Sequence, residues 1–159
     1  MQTSSFATYP RGTLYAMLLD AYSVSEDYVN AHSNDWKEFD DFVYDNLSFM
    51  YKYGFISIQD GQPAGFFSFD PRPLPNQAIV GYNCIITACK GQGRGKEQLK
   101  TGIAMIKSLS PREIVVSTGC NNLFLPARKM YESVGFTESR RMPYSDPLVP
   151  ELVEYILIP

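Results

Sequence analysis

The sequence predicts a single domain of mixed α/β class, and three stretches carry that prediction. In the first, an apolar run from Ile79 to Ile86, broken only by Gly81 and Asn83, leads into Lys90-Gly91-Gln92-Gly93-Arg94-Gly95-Lys96. Leu99, Gly102, Ile103 and Ile106 then recur at three- and four-residue spacing. That order reads as strand, glycine turn, amphipathic helix. In the second, Gln59-Asp60-Gly61-Gln62 separates the apolar runs Gly54–Ser57 and Ala64–Phe69, a hairpin signal. In the third, Pro126 opens and Gly135 closes a helical pattern, with Phe136 returning to the core.

The remaining elements follow in chain order. A short first strand is expected near Phe6–Tyr9. Thr13 is placed to cap a helix from Leu14 to Tyr22, with Leu14, Met17, Leu18 and Ala21 on one face. Asp35, with Glu38 three residues on, reads as a capping box for a second helix. That helix would bury Phe39, Phe42, Val43 and Leu47 and turn Asp40, Asp41 and Asp45 elsewhere. His32 then falls in a polar loop. Pro71, Pro73 and Pro75 cannot continue a ladder, so residues 70–76 form a loop. The helix after the glycine turn runs to about Leu109 and stops at Ser110-Pro111. Ile114–Ser117 is a buried strand. Ala127, Met130, Tyr131 and Val134 share a helical face, and a loop with Pro143, Pro147 and Pro150 precedes a last strand, Val153–Ile158.

Composition narrows the function classes. With 159 residues, 45% hydrophobic and 19% charged, the chain is one ordinary globular domain, residues 1–159. A net charge of −3 argues against nucleic acid as a partner. No apolar run nears the roughly 20 residues of a membrane span, and the first residues lack the pattern of a secretory leader. Cys84, Cys89 and Cys120 show no metal-ligand spacing, so no metal site is expected. Free thiols suit a reducing, cytoplasmic compartment.

The glycine turn is built to hold an anion. Glycine allows positive φ and close approach, and the first N–H groups of the following helix lack internal partners. A P-loop is excluded, because position 90 is Lys and position 97 is Glu. A dinucleotide fingerprint is excluded as well, because its third glycine would fall on Lys96 or Gln98.

Lys90-Gly91-Gln92-Gly93-Arg94-Gly95 resembles the acyl-CoA signature of the GNAT superfamily of N-acetyltransferases, Arg/Gln-x-x-Gly-x-Gly/Ala, with Lys90 in place of Arg or Gln. Ala127-x-x-x-Tyr131-x-x-x-Gly135-Phe136 is similar to the family's second hallmark at every fixed position and follows in the family's order. The resemblance implies a mixed, mostly antiparallel sheet of six or seven strands flanked by about four helices and splayed between the fourth and fifth strands. It implies acetyl-CoA as co-substrate and direct attack by a primary amine, on a small molecule or a peptide. By position, the pyrophosphate falls to the main-chain amides of Gly91, Gln92, Gly93, Gly95 and Lys96, with Lys90 and Arg94 counted among the cofactor-binding residues of the same turn. The pantetheine arm falls to the strand edge Ile85, Ile86 and Thr87, with Cys84 close by; the family's asparagine contact to the arm falls on Phe124 here, so it either moves to Asn122 or is absent. Tyr131 aligns with the tyrosine that protonates the CoA thiolate.

The general base is not written in the motifs. The family's usual Glu position is Ile79, which leaves water held by Tyr82 or Asn83, Asp70, or an amine that arrives deprotonated. An acceptor wall would draw on Tyr22, Tyr28, His32, Trp36 and Tyr144, suiting a cationic amine, or on Arg140 and Arg141, suiting a carboxylate. Two other readings stay open: a non-catalytic acyl-CoA-binding module of the same fold, and a nucleotide binder with an unrelated glycine turn. Oligomeric state is left open, a homodimer included.

Overall fold

The computed structural model describes residues 1–159. Its strands are β1 Gln2–Ser4, β2 Gly54–Gln59, β3 Gln62–Asp70, β4 Gln77–Ile85, β5 Glu113–Gly119, β6 Thr137–Asp146 and β7 Val149–Leu157. Its helices are α1 Thr13–Ala21, α2 Glu26–Asp45, the single turn α3 Leu47–Met50, α4 Arg94–Lys107 and α5 Leu125–Ser133. The seven strands form a sheet in the order β1-β2-β3-β4-β5-β7-β6. The pairs β1–β2, β2–β3, β5–β7 and β6–β7 are antiparallel. The parallel pair β4–β5 is held only through Gln77–Ile79 against Glu113–Val115. The expected mixed sheet of six or seven strands is thus present, with five helices rather than about four.

The chain divides into two compact units, Met1–Ser68 with Tyr82–Gln98, and Phe69–Gly81 with Leu99–Pro159. In the first unit, α1 and α2 bury Leu14, Met17, Leu18, Trp36 and Val43 against Ile56, Ile58 and Phe66 of the strands. Asp60 and Gly61, both at positive φ, make the two-residue hairpin turn between β2 and β3.

This unit departs from the sequence expectations in several places. The first strand is Gln2–Ser4, and Phe6–Thr8 is a 3-10 turn held by Ser5. Thr13 is the first residue of α1 rather than its cap, and Gly12 precedes it at φ 93°. The second helix begins ten residues early: Ser25 caps it by accepting from the Tyr28 N–H, and Glu26 and Asp27 complement its dipole. Asp35 is therefore mid-helix, and His32 lies on α2 rather than in a loop. Phe42 is 52% exposed, while Asp40, expected on the outer face, is 2% exposed. The reason is that α1 points its N-terminus at α2. The Asp40 carboxylate accepts from the N–H groups of Gly12 (2.7 Å), Leu14 (3.0 Å) and Tyr15 (3.1 Å), so it serves as the cap that α1 lacks locally.

The Cys84 side chain also lies in this core, and burial pushes its thiol up to about 12 from 9.0.

In the second unit, β5 buries Ile114, Val115 and Val116, and β7 buries Val153 and Tyr155. Pro126 lies in the first turn of α5. Beyond its last turn Gly135 takes φ 101°, with Gly135 N–H donating to Glu132 O and Phe136 N–H to Tyr131 O. The segment expected as a proline loop is instead the β6–β7 hairpin. Pro143 is tolerated because β6 is an edge strand, and Pro150 precedes the part of β7 that pairs with β5.

Two outcomes follow from this packing. Asp40→Ala lowers the free energy of urea unfolding by about 2 kcal/mol, because three helix N–H groups lose their acceptor. Asp41→Ala, which only breaks exposed pairs with Arg11 and Lys37, costs far less. Between pH 9.0 and about 12 the unfolded Cys84 thiol ionises while the buried one keeps its proton, so stability falls as pH rises through that window. In Cys84→Ala the alkaline fall, measured by urea titration at successive pH values, is shallower.

Candidate functional site

After β4 the chain makes a 3-10 turn, Thr87–Cys89, then passes Gly91 at φ 74° and Gly93 at φ 77° before α4 begins. A Cβ at either glycine would meet open space, so it is the backbone conformation, not crowding, that requires glycine. The first helical bond runs from Glu97 N–H to Gly93 O (3.2 Å). Ahead of it, the N–H groups of Gly91, Gln92, Gly93, Arg94, Gly95 and Lys96 find no acceptor in the chain. These consecutive donors, at the positive end of a fourteen-residue helix, form a cradle for an anion with several oxygens. Lys96 is exposed beside it, and Arg94 reaches Glu97 at 3.0 Å while its Nε has no partner.

A residue that sequence reasoning passed over aims this helix. Gln98 is 1% exposed. Its Nε2 donates to Phe66 O (2.7 Å) and Cys84 O (3.2 Å), and its Oε1 accepts from the Ser57 hydroxyl. The amide thus joins α4 to β2, β3 and β4. Gly65 makes room for it, since a Cβ there would lie 3.0 Å from Gln98 Oε1 and 2.2 Å from its partner Cys84 O. A buried polar residue on the apolar face of a helix was the available signal; its partners were not.

The donors of the strand edge are distributed more narrowly than expected. Ile86 N–H donates to Ala64 O at 2.9 Å, toward β3. Alternation along a strand turns the N–H and C=O of Ile85 to the opposite edge. Ile85 lies six residues past Ile79, where the ladder with β5 ends. Thr87 N–H donates to an Asp20 carboxylate oxygen (2.5 Å), and its hydroxyl donates to Asp20 O (2.9 Å). Lys90 Nζ donates to Ala21 O at the end of α1. Of the expected edge residues, Ile85 is the one with main-chain groups turned outward.

The candidate bases separate as well. Tyr82 packs its ring on Phe39 at 4.9 Å. His32 joins Tyr28 (4.3 Å), Trp36 (6.3 Å) and Asp35 (3.7 Å), and Tyr22 stacks on Trp36 at 5.2 Å. In the second unit, Asp70 is gripped by Arg72 through Nε and Nη2, which holds its carboxyl below the usual range and weakens it as a proton acceptor.

Also in the second unit, Tyr131 is 5% exposed, edge-on to Phe136 at 5.8 Å and 6.1 Å from Tyr155. The Tyr155 hydroxyl donates to Glu132 (3.0 Å), and burial raises its pKa to about 12. Asn122 is exposed in a 3-10 turn, while neighbouring Asn121 donates to Leu148 O and leaves a buried amide oxygen without a partner.

No protein-family model matches the sequence, and no curated protein matches it. Solved structures do. A ribosomal-protein-alanine N-acetyltransferase from Brucella melitensis superposes with TM-score 0.79 at 15% identity, covering 99% of each chain. A protein from Desulfovibrio desulfuricans described as a GNAT-family acetyltransferase gives 0.77 at 14% identity, covering 99% of this chain and 96% of its own. An acetyltransferase from Bacillus subtilis, in complex with CoA, gives 0.68 at 15%, covering 99% and 96%. At such identities the likeness is one of architecture, and the chain has the fold of the GNAT acetyltransferases.

Proposed function

We propose that the protein is an N-acetyltransferase that moves an acetyl group from acetyl-CoA to a primary amine, on a small molecule or a peptide, by direct attack in a ternary complex. The observation that carries this reading is the unbroken set of unpaired main-chain donors from Gly91 to Lys96 at the head of α4. A pyrophosphate presents several oxygens to such a cradle, and the main chain supplies donors without the desolvation cost of a buried cation. The outward N–H and C=O of Ile85 suit the amide groups of a pantetheine arm, which adds to the edge as a strand would. A main-chain N–H on that edge polarises the thioester carbonyl and stabilises the oxyanion as nitrogen attacks. The carbon–sulfur bond then breaks, the thiolate takes a proton from the Tyr131 phenol, and the proton shed by the ammonium passes to solvent, which returns one to the Tyr131 phenolate. The Bacillus subtilis neighbour's CoA and the Brucella melitensis neighbour's amine chemistry support cofactor and acceptor class.

A second reading is an acyl-CoA-binding module without turnover. Ile79 at the family's Glu position and the Arg72 grip on Asp70 favour it. No helix of the chain is long and apolar enough to cross a membrane, and three cysteines without a disulfide fit a reducing compartment; we place the protein in the cytoplasm on that basis.

Thermal shift with acetyl-CoA, followed by release of free thiol on adding an amine panel, tests the proposal. Wild type at about a hundredfold excess over Kd gains about 2.7 kcal/mol. Gly93→Glu abolishes the gain, and Gly93→Ala, which adds backbone strain without charge, keeps part of it. Undiminished stabilisation of Gly93→Glu places the cofactor elsewhere. Tyr131→Phe lowers kcat by about a hundredfold while acetyl-CoA still binds; binding with no turnover on any amine selects the module.

A further inference from the structure

Lys90 opens the glycine turn, yet its ammonium is directed away from the cradle. It donates to the carbonyl of Ala21, the last residue of α1. That carbonyl is one of those a helix leaves unpaired, at the negative end of the helix dipole, so the ammonium gains a hydrogen bond and a favourable field together. The preceding residue, Asp20, reaches the same loop. Its carboxylate accepts from Thr87 N–H, and its carbonyl accepts from the Thr87 hydroxyl. Three hydrogen bonds therefore join the end of α1 to residues 87–90, the segment that delivers the chain into the cradle.

What α1 carries past that clasp is aromatic. Tyr22 follows Ala21 directly and stacks on Trp36 at 5.2 Å, with Tyr28 at 5.1 Å from Tyr22. His32 packs on Tyr28 at 4.3 Å. Ser25, which caps α2, takes its own N–H bond to Tyr22 O (3.0 Å), so the group is tied to the helix end rather than hung from a loose loop.

We propose that Lys90 is a positioning residue and not a phosphate ligand: with Asp20 and Thr87 it clasps the end of α1 to the glycine-turn loop, so that filling the cradle sets the group Tyr22, Tyr28, His32 and Trp36 for the acceptor amine. The proposal rests on the acetyltransferase reading, but its first test needs no acceptor. Trp36 is the only tryptophan, and its ring is stacked on Tyr22, so its emission reports the clasped helix end.

Acetyl-CoA is titrated into the full-length protein, with affinity read by calorimetry and Trp36 emission recorded in parallel. Wild type changes its emission on binding. Lys90→Met keeps the dissociation constant within about twofold yet loses the emission change, and Lys90→Arg, which retains a donor, restores it. On any amine that turns over, Lys90→Met raises the acceptor KM by about tenfold and leaves the acetyl-CoA KM unchanged. A tenfold or greater loss of acetyl-CoA affinity in Lys90→Met, about the worth of one charged hydrogen bond, overturns the proposal by making Lys90 a phosphate ligand. Wild-type emission that ignores bound acetyl-CoA overturns it equally. If Lys90→Met does not fold, Asp20→Ala is read in the same way, with Asp20→Asn as the variant that keeps the acceptor. Failure of the wild type to bind acetyl-CoA at all is a different result, and it removes the acetyltransferase reading itself.

Discussion

The amide of Gln98 lies where water does not reach, and each of its polar atoms must find a partner in the chain or carry the cost of going without. It finds Ser57 on β2, Phe66 on β3 and Cys84 on β4, so the second turn of α4 is held to three strands at once. A helix gripped that close to its start has little freedom to swing. The donors from Gly91 to Lys96 are consequently held in place before any ligand arrives, and the proposed anion site would draw on this preorganisation of weak individual N–H dipoles.

The first unit is also organised by charges at helix ends, one buried and one exposed. Asp40 closes the N-terminus of α1, and Lys90 meets its C-terminus, so the helix is bracketed by an anion and a cation in the order its dipole prefers. Neither partner is local: Asp40 comes from α2 and Lys90 from the glycine-turn loop. One consequence is chemical economy at the cradle. Lys90 is occupied elsewhere and Arg94 is shared with Glu97, so the proposed anion binding would rest on the main chain, with Lys96 as the exposed cation nearby. Recognition by fixed dipoles selects for the shape of a diphosphate more than for net negative charge.

Neither Ile79 nor Asp70 is poised as a proton acceptor. Ile79 is apolar, and Asp70 is held in its charged form by Arg72. For acetyl transfer this demand is modest, since a thioester is an activated acyl donor and an amine that loses its proton to water can attack unaided. In the proposed reaction, rate is then governed by how well amine and thioester are held together, and the aromatic group at the α1–α2 turn matters more than any single base.

Signals confined to a few neighbouring residues were legible from the sequence alone. The glycines of the turn, the Asp60-Gly61 hairpin, and the Pro126 and Gly135 that bracket α5 each act through the φ angle of their own residue or its next neighbours, and all appear where the sequence places them. The mixed sheet was an expectation that came with the family resemblance of the two motifs, not from the local punctuation itself. Residues whose roles depend on partners far along the chain were not legible. Asp40 read as one acid among three on a polar face, Gln98 as an ordinary helix residue, and Lys90 as a neighbour of the phosphate. The start of α2 was missed because residues 26–35 are too polar to show an apolar stripe until Trp36 and Val43 are packed. Local backbone preference is a property of sequence. The pairing of a buried charge or amide with a distant main-chain group exists only once the chain has folded and water has been excluded from it.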